Sequence, residues 1–186
     1  FFLLPAGVGG LAERNLRWDP WLANLLEGIM RLILLIGYIW AIGFMPDVKR
    51  LFGYHGAEHK TINAFEAGAE LTPESVAKYS LQHPRCGTAF LLTLVLISIL
   101  VFTALGPLPM FWRLASRVLL IPVLAGIAVE YIRWTANHLD SPIVRLLFKP
   151  NLALQALTTR EPDMSMLEVA IESFKTMTKA EQDLVA

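Results

Sequence analysis

The chain holds one cysteine, Cys86, among 186 residues, which excludes an intramolecular disulfide and leaves the redox character of its compartment open. Charge is scarce as well: Asp, Glu, Lys and Arg make up 17%, and 16 basic residues balance 16 acidic ones. That balance removes any bulk electrostatic case for a nucleic-acid partner. Repeats and low-complexity tracts are absent. The opening FFLLPAGVGG has no initiator Met and no basic flank, so a secretory signal peptide is not expected. It reads as the tail of a longer apolar segment, in a chain that is a piece of a longer protein.

What the chain does have is apolar mass. Hydrophobic residues reach 55% and the mean hydropathy is +0.51, which points to a membrane protein. A membrane-spanning helix needs about 20 mostly apolar residues, and three stretches approach that. Leu25 to Met45 carries Glu27 and Arg31 near its start, four apart on one helical face and expected as a pair at headgroup level. Ala89 to Trp112 is uncharged, with Gly106, Pro107 and Pro109 breaking it before its end and PLPMFW left at an interface. Leu114 to Trp134 contains Arg117, Pro122 and Glu130 and is expected as a single segment kinked at Pro122. The expected fold is therefore all-α: a polytopic helical membrane protein with about three transmembrane helices, a helical cytoplasmic loop and a helical C-terminal tail.

The expected organisation is a stub and connection over 1–24, a span over 25–45, a helical loop over 46–88, a transmembrane hairpin over 89–134 and a tail over 135–186. If each stretch crosses once, loop and tail share a side. That side holds Lys49, Arg50, Arg85, Arg133, Arg145 and Lys149 near the membrane, against Arg14, Arg17, Arg113 and Arg117 opposite. The bias places loop and tail in the cytoplasm. Asp19 followed by Pro20 marks a helix start. In the tail, Pro142 and Pro150 interrupt short apolar runs suited to the membrane surface. Beyond them Ser165 and Glu168 have capping-box spacing, and Leu167, Ile171, Phe174 and Met177 form an apolar stripe.

The loop concentrates acid-base chemistry. His55, Gly56, Ala57, Glu58 and His59 spell H-x-x-E-H, an inverted zincin pattern. On a helix His55 and His59 share a face, Glu58 adjoins them, and Ile62, Glu66 and Glu70 continue the arc. Two imidazoles so spaced can hold a divalent ion with a third ligand, and Glu58 can serve as general base. An exposed amphipathic helix would use the same residues. The stretch LTPESVAKYS reads as a short helix capped by Thr72 with Pro73 in its first position. It leads to HPRCG, where His83 and Cys86 offer an imidazole and a thiolate. Cys86 is equally a small buried hydrophobe, and Arg85 a headgroup anchor. Glu130 and His138, eight apart near the end of the third stretch, lie on one face, though an ion pair between Glu130 and Arg133 weighs more heavily for Glu130.

The runs YHGAEHKTINAFEAG, HPRCGTAFLL, LLIPVLAGIAVEYIRW and LQALTTREPD together resemble the YqhQ family of bacterial membrane proteins, a domain of unknown function often described as predicted metal-dependent enzymes. The resemblance covers about Leu25 to Phe174. The family's motif residues fall on His55, Glu58, His59, Lys60, Glu66, His83, Pro84, Arg85, Cys86, Gly87, Glu130 and Thr158 to Pro162. The Gly-rich soluble segment expected ahead of the first span is missing from this chain. The resemblance implies an integral protein of the bacterial inner (plasma) membrane.

Together these readings give a metal-dependent, hydrolase-like enzyme with Glu58 catalytic and His55, His59, His83 and Glu66 as metal ligands. Cys86, Arg85, Glu130 and His138 are further candidates. Zinc is the natural cofactor for such a donor set. The lipid bilayer is the expected partner, with other membrane subunits possible. The competing reading is a non-enzymatic assembly factor or accessory subunit, in which the same residues form a structural clip. A transporter or haem binder fits less well, because three or four spans enclose little and the histidines lie outside the apolar helices.

Overall fold

Proline sets most of the helix starts. Its fixed φ suits the first turn, and its missing N–H belongs to a position that has no intrahelical acceptor anyway. In the computed structural model, which describes residues 3–106 and 108–185, helices begin at Pro20, Pro46, Pro73 and Pro142, and a fifth has Pro122 in its first turn. Among the described residues the order is α1 (Leu3–Leu16), α2 (Pro20–Ile42), α3 (Pro46–Glu66), α4 (Pro73–Val76), α5 (Gly87–Ala104), α6 (Met110–Leu119), α7 (Ile121–Ala136), α8 (Pro142–Thr158) and α9 (Met164–Val185), with no strand. The protein is all-helical, as its apolar pattern predicts.

The chain divides into two compact units. The first comprises Phe1–Ile39 and Pro84–Asn151, the second Trp40–His83 and Leu152–Ala186.

In the first unit α2 and α5 are long and apolar enough to cross a membrane, and α6 with α7 forms a further candidate bent by 45°. Leu94 and Phe102 of α5 pack on Leu124 and Ala128 of α7. Ile33, Leu100 and Val123 point outward, as lipid contact requires. The interior is not wholly apolar. Glu27 of α2 accepts from Arg31 at 2.7 Å and is held by Arg117 of α6 through two hydrogen bonds of 2.9 Å, all three side chains being at most 2% exposed. Arg31 also donates to Ser98, and both guanidiniums lie over the Phe102 ring.

The second unit is built on α3. Ala57 and Ala64 of α3 pack against Leu167 and Ile171 of α9, with Val76 of α4 completing the cluster. Burying a Leu or Ile side chain contributes about 1.5–3 kcal/mol. The small residues let the helices approach: a Cβ on Gly53 would lie 2.7 Å from the Met166 sulfur.

Several expectations are corrected. The Leu114 to Trp134 stretch bends by 45° near Pro122 as expected, but as a break between two helices meeting at Leu120, with Pro122 in the first turn of the second. PLPMFW does not trail the second span; Met110 opens α6, and Pro107, like Phe1 and Phe2, lies outside the described residues. The first span starts at Pro20 instead of Leu25, and Pro150 sits inside α8 without breaking it. Glu27 and Arg31 are not an exposed pair, and Arg113 and Arg117 are not exposed charges; all four are buried. The α9 cap is Asp163, whose carboxylate accepts from the Met166 amide at 2.9 Å and the Ser165 hydroxyl at 2.7 Å, so Ser165 is a partner of the cap. In the apolar stripe Leu167 and Ile171 are buried and Met177 is 48% exposed.

Candidate functional site

Both histidines of the H-x-x-E-H pattern lie in the middle of α3, so their relative placement is fixed by the helix itself. Their ring centroids are 4.4 Å apart. Three segments of the second unit then close around them: the turn from Ala77 to His83, the last turn of α8, and Thr158 to Pro162.

Each ring is aimed by a backbone carbonyl. His55 Nδ1 donates to the Thr158 carbonyl at 2.9 Å, and His59 Nδ1 donates to the Leu81 carbonyl at 2.6 Å. A carbonyl oxygen only accepts, so Nδ1 carries a proton in both rings. Metal-ligating histidines are held in this way, with one nitrogen on a main-chain carbonyl or carboxylate and the other turned to the ion.

His83 joins them from the turn. It is 4% exposed, and its ring centroid lies 5.8 Å from that of His59. Gln155 of α8 clamps its backbone, accepting from His83 N at 3.0 Å and donating to His83 O at 2.8 Å. Asn63 steadies the same turn by donating to the Ser80 and Gln82 carbonyls. Glu66, at the end of α3, brings a carboxylate oxygen to 3.7 Å from His83 Nε2. That is ion-pair distance and too long for a hydrogen bond.

The Thr158 to Pro162 run acts through its backbone. The Arg160 amide donates to the Phe52 carbonyl at 2.9 Å, and the Arg160 carbonyl passes so close to α3 that a Cβ on Gly56 would overlap it. Glycine between the two histidines is thus a packing requirement. Lys60, 4% exposed, donates to the Ala77 carbonyl and pairs with Glu161, both at 2.7 Å. The charge is buried with two oxygen partners, as a buried ammonium needs.

The other candidates are placed differently. Glu58 is exposed and lines a cavity of about 290 Å³ with Tyr54, Ser173, Phe174 and Met177, on the α9 side of the helix. Glu70 lies beyond the end of α3, so the arc predicted for it stops at Glu66. Cys86, Arg85, Glu130 and His138 belong to the first unit. There Cys86 is the buried N-cap of α5, its sulfur accepting from the Thr88 amide at 3.4 Å, and Arg85 is exposed. Glu130 pairs with Arg133 at 3.0 Å, and His138 donates to the Trp134 carbonyl and stacks on the Trp134 ring. Gln155 and Asn63 lie inside the motif runs LQALTTREPD and YHGAEHKTINAFEAG but are not among the residues singled out from the sequence, because their work is done on backbone groups of a distant turn.

Residues 1–180 match the family described as "Protein of unknown function (DUF1385)". The chain is also 42% identical over 156 residues to "Uncharacterized protein YqhQ" of Bacillus subtilis (strain 168), an alignment covering 84% of this chain and 49% of that relative. The chain thus spans about half the length of the curated relative it matches. No solved structure matches it.

Proposed function

We propose that this chain, which belongs to the family described as Protein of unknown function (DUF1385), is a helical membrane protein whose α3 histidines hold a divalent metal for hydrolase-like chemistry at the cytoplasmic face. The observation that carries the reading is that main-chain carbonyls engage Nδ1 of two histidines on one helix, which makes Nε2 of each ring the atom to which a metal would be assigned. His55 and His59 are the ligands, with His83 or Glu66 third. Zinc suits this mixture of donors, and when bound it supplies Lewis acidity.

The chain's own residues supply the rest. Gln155 fixes His83 through its backbone, and Asn63 keeps the turn closed. Glu58, exposed and next to His59 in sequence, is the general base of this reading. The cavity it lines offers an apolar surface for the body of a substrate. Cytoplasmic placement rests on charge: with Arg113 and Arg117 buried, Arg14 and Arg17 face six exposed basic residues at the ends leading to loop and tail.

A specific observation favours a second reading, a structural clip in an assembly factor or accessory subunit. The same two imidazoles tie α3 to Leu81 and Thr158. Metal content measured by plasma mass spectrometry should be stoichiometric in the wild type and lost in H55A/H59A; equal content in both would defeat the metal proposal. Turnover of phosphate and carboxylate esters that disappears in E58Q, with metal and fold retained, selects the enzyme. No turnover in the wild type, with metal and fold kept in both wild type and E58Q, selects the clip; turnover that survives E58Q removes Glu58 as the base.

A further inference from the structure

The first unit contains a second polar concentration unrelated to the histidines. Gly7, Gly10 and Arg14 lie on one face of α1, and with Glu13, Met110 and Arg113 they line a cavity of about 460 Å³ between α1 and the start of α6. The glycines keep it open. A Cβ on Gly7 would meet nothing within 4 Å, and one on Gly10 would stand 3.3 Å from the Met110 sulfur and 3.5 Å from an Arg113 terminal nitrogen.

Its chemistry favours an anion. Arg113 is 2% exposed and gives one terminal nitrogen to Glu13 at 2.9 Å and to Asn24 at 3.1 Å. Its buried Nε has no hydrogen-bond partner among the described residues. Leaving a buried charged donor unmade is costly, so the arrangement calls for an acceptor that is not a side chain of the unit. The start of α6 adds to the demand, because its N-cap is Pro109 and no side chain caps its amides, which carry the positive end of the helix dipole. Arg14 and Arg113 face the single carboxylate of Glu13, an excess of one positive charge.

Aromatic residues indicate the depth. Trp18 and Trp21 at the turn into α2, and Phe111 and Trp112 in the first turn of α6, are all exposed. Tryptophan collects at headgroup level. Trp18 follows the cavity-lining Arg14 by four residues, and Phe111 and Trp112 directly follow the lining Met110, so a position at the level of lipid phosphates suits the cavity.

We propose that this cavity binds a phosphate ester, the headgroup of a membrane phospholipid, with Arg113, Arg14 and the first-turn amides of α6 as its donors. The test is lipid retention by native mass spectrometry of the full chain released from nanodiscs containing either phosphatidylglycerol or diacylglycerol. One phosphatidylglycerol should stay with the wild type while diacylglycerol is lost. R14Q, which removes an exposed charge, and G10L, which fills the space beside Arg113, should each lower retention about tenfold, the loss of one charge-assisted contact. Should G10L misfold by circular dichroism, R14Q alone decides. Retention that is unchanged in the variants, or equal for diacylglycerol, would mean annular lipid only and overturn the site. Thermal stabilisation by millimolar inorganic phosphate without retained phosphatidylglycerol would overturn the lipid as the source.

Discussion

The carbonyl oxygen of Arg160 stands where a Cβ on Gly56 would have to go. The contact is backbone on backbone, so neither side can yield by changing a rotamer. G56A should therefore destabilise the second unit by about 1–3 kcal/mol, as overpacking does. Gly37 of α2, whose Cβ would meet nothing within 4 Å, is the control: G37A should be neutral or stabilising by up to about 1 kcal/mol. Urea unfolding of the two variants in the same detergent compares them directly.

Gln155 holds both backbone groups of His83, and its side chain is buried. Q155L leaves an amide and a carbonyl of His83 without that clamp, at a cost of about 1–3 kcal/mol for each group left unsatisfied. The expected result is a lower melting temperature together with about tenfold weaker metal affinity, the ordinary penalty for losing outer support of a ligand. A lower melting temperature with unchanged affinity would remove His83 from the ligand set.

Glu27 balances two buried arginines. E27A should be among the most damaging single changes in the chain, costing about 3–5 kcal/mol, because it leaves both guanidiniums uncompensated. Replacing all three charges at once, as in E27L/R31M/R117M, should restore much of that loss. Thermal melts of the two proteins, compared with the wild type, give the sign.

Asp163 links α9 to pH. Its carboxyl is held below the ordinary range, first by the Ser165 hydroxyl and then by the Met166 amide. A depressed folded-state pKa means the stabilisation is present above the unfolded value of about 3.9 and is lost as pH falls through the lower, folded one. Acid melts should show this limb in the wild type. D163N keeps a side-chain cap without the limb, and D163A loses both.

Much of the architecture was legible because its signals are local. The Asp19–Pro20 start, the Thr72–Pro73 start and the uncharged run of α5 are statements about neighbouring residues, and each lies where the sequence places it. The misreadings share a cause, which is that the deciding partner was far along the chain. Glu27 and Arg31 looked like an interface pair until Arg117, 90 positions on, closed around the carboxylate. The Ser165 cap is the exception, a local misreading: Asp163, two residues earlier, takes the cap position. At the histidines the motif revealed the rings but not their aim, since Thr158 lies 103 positions from His55 and meets it through a carbonyl.

The carbonyl contact to the other ring has an evolutionary consequence. Because Leu81 orients the His59 imidazole through the main chain, its side chain can drift in related sequences without disturbing the ring. Residue identity at position 81 is then a poor guide to whether a relative keeps the site. What a relative must preserve is the path of the chain over α3, and the marker of that path is the glycine that lets Arg160 pass.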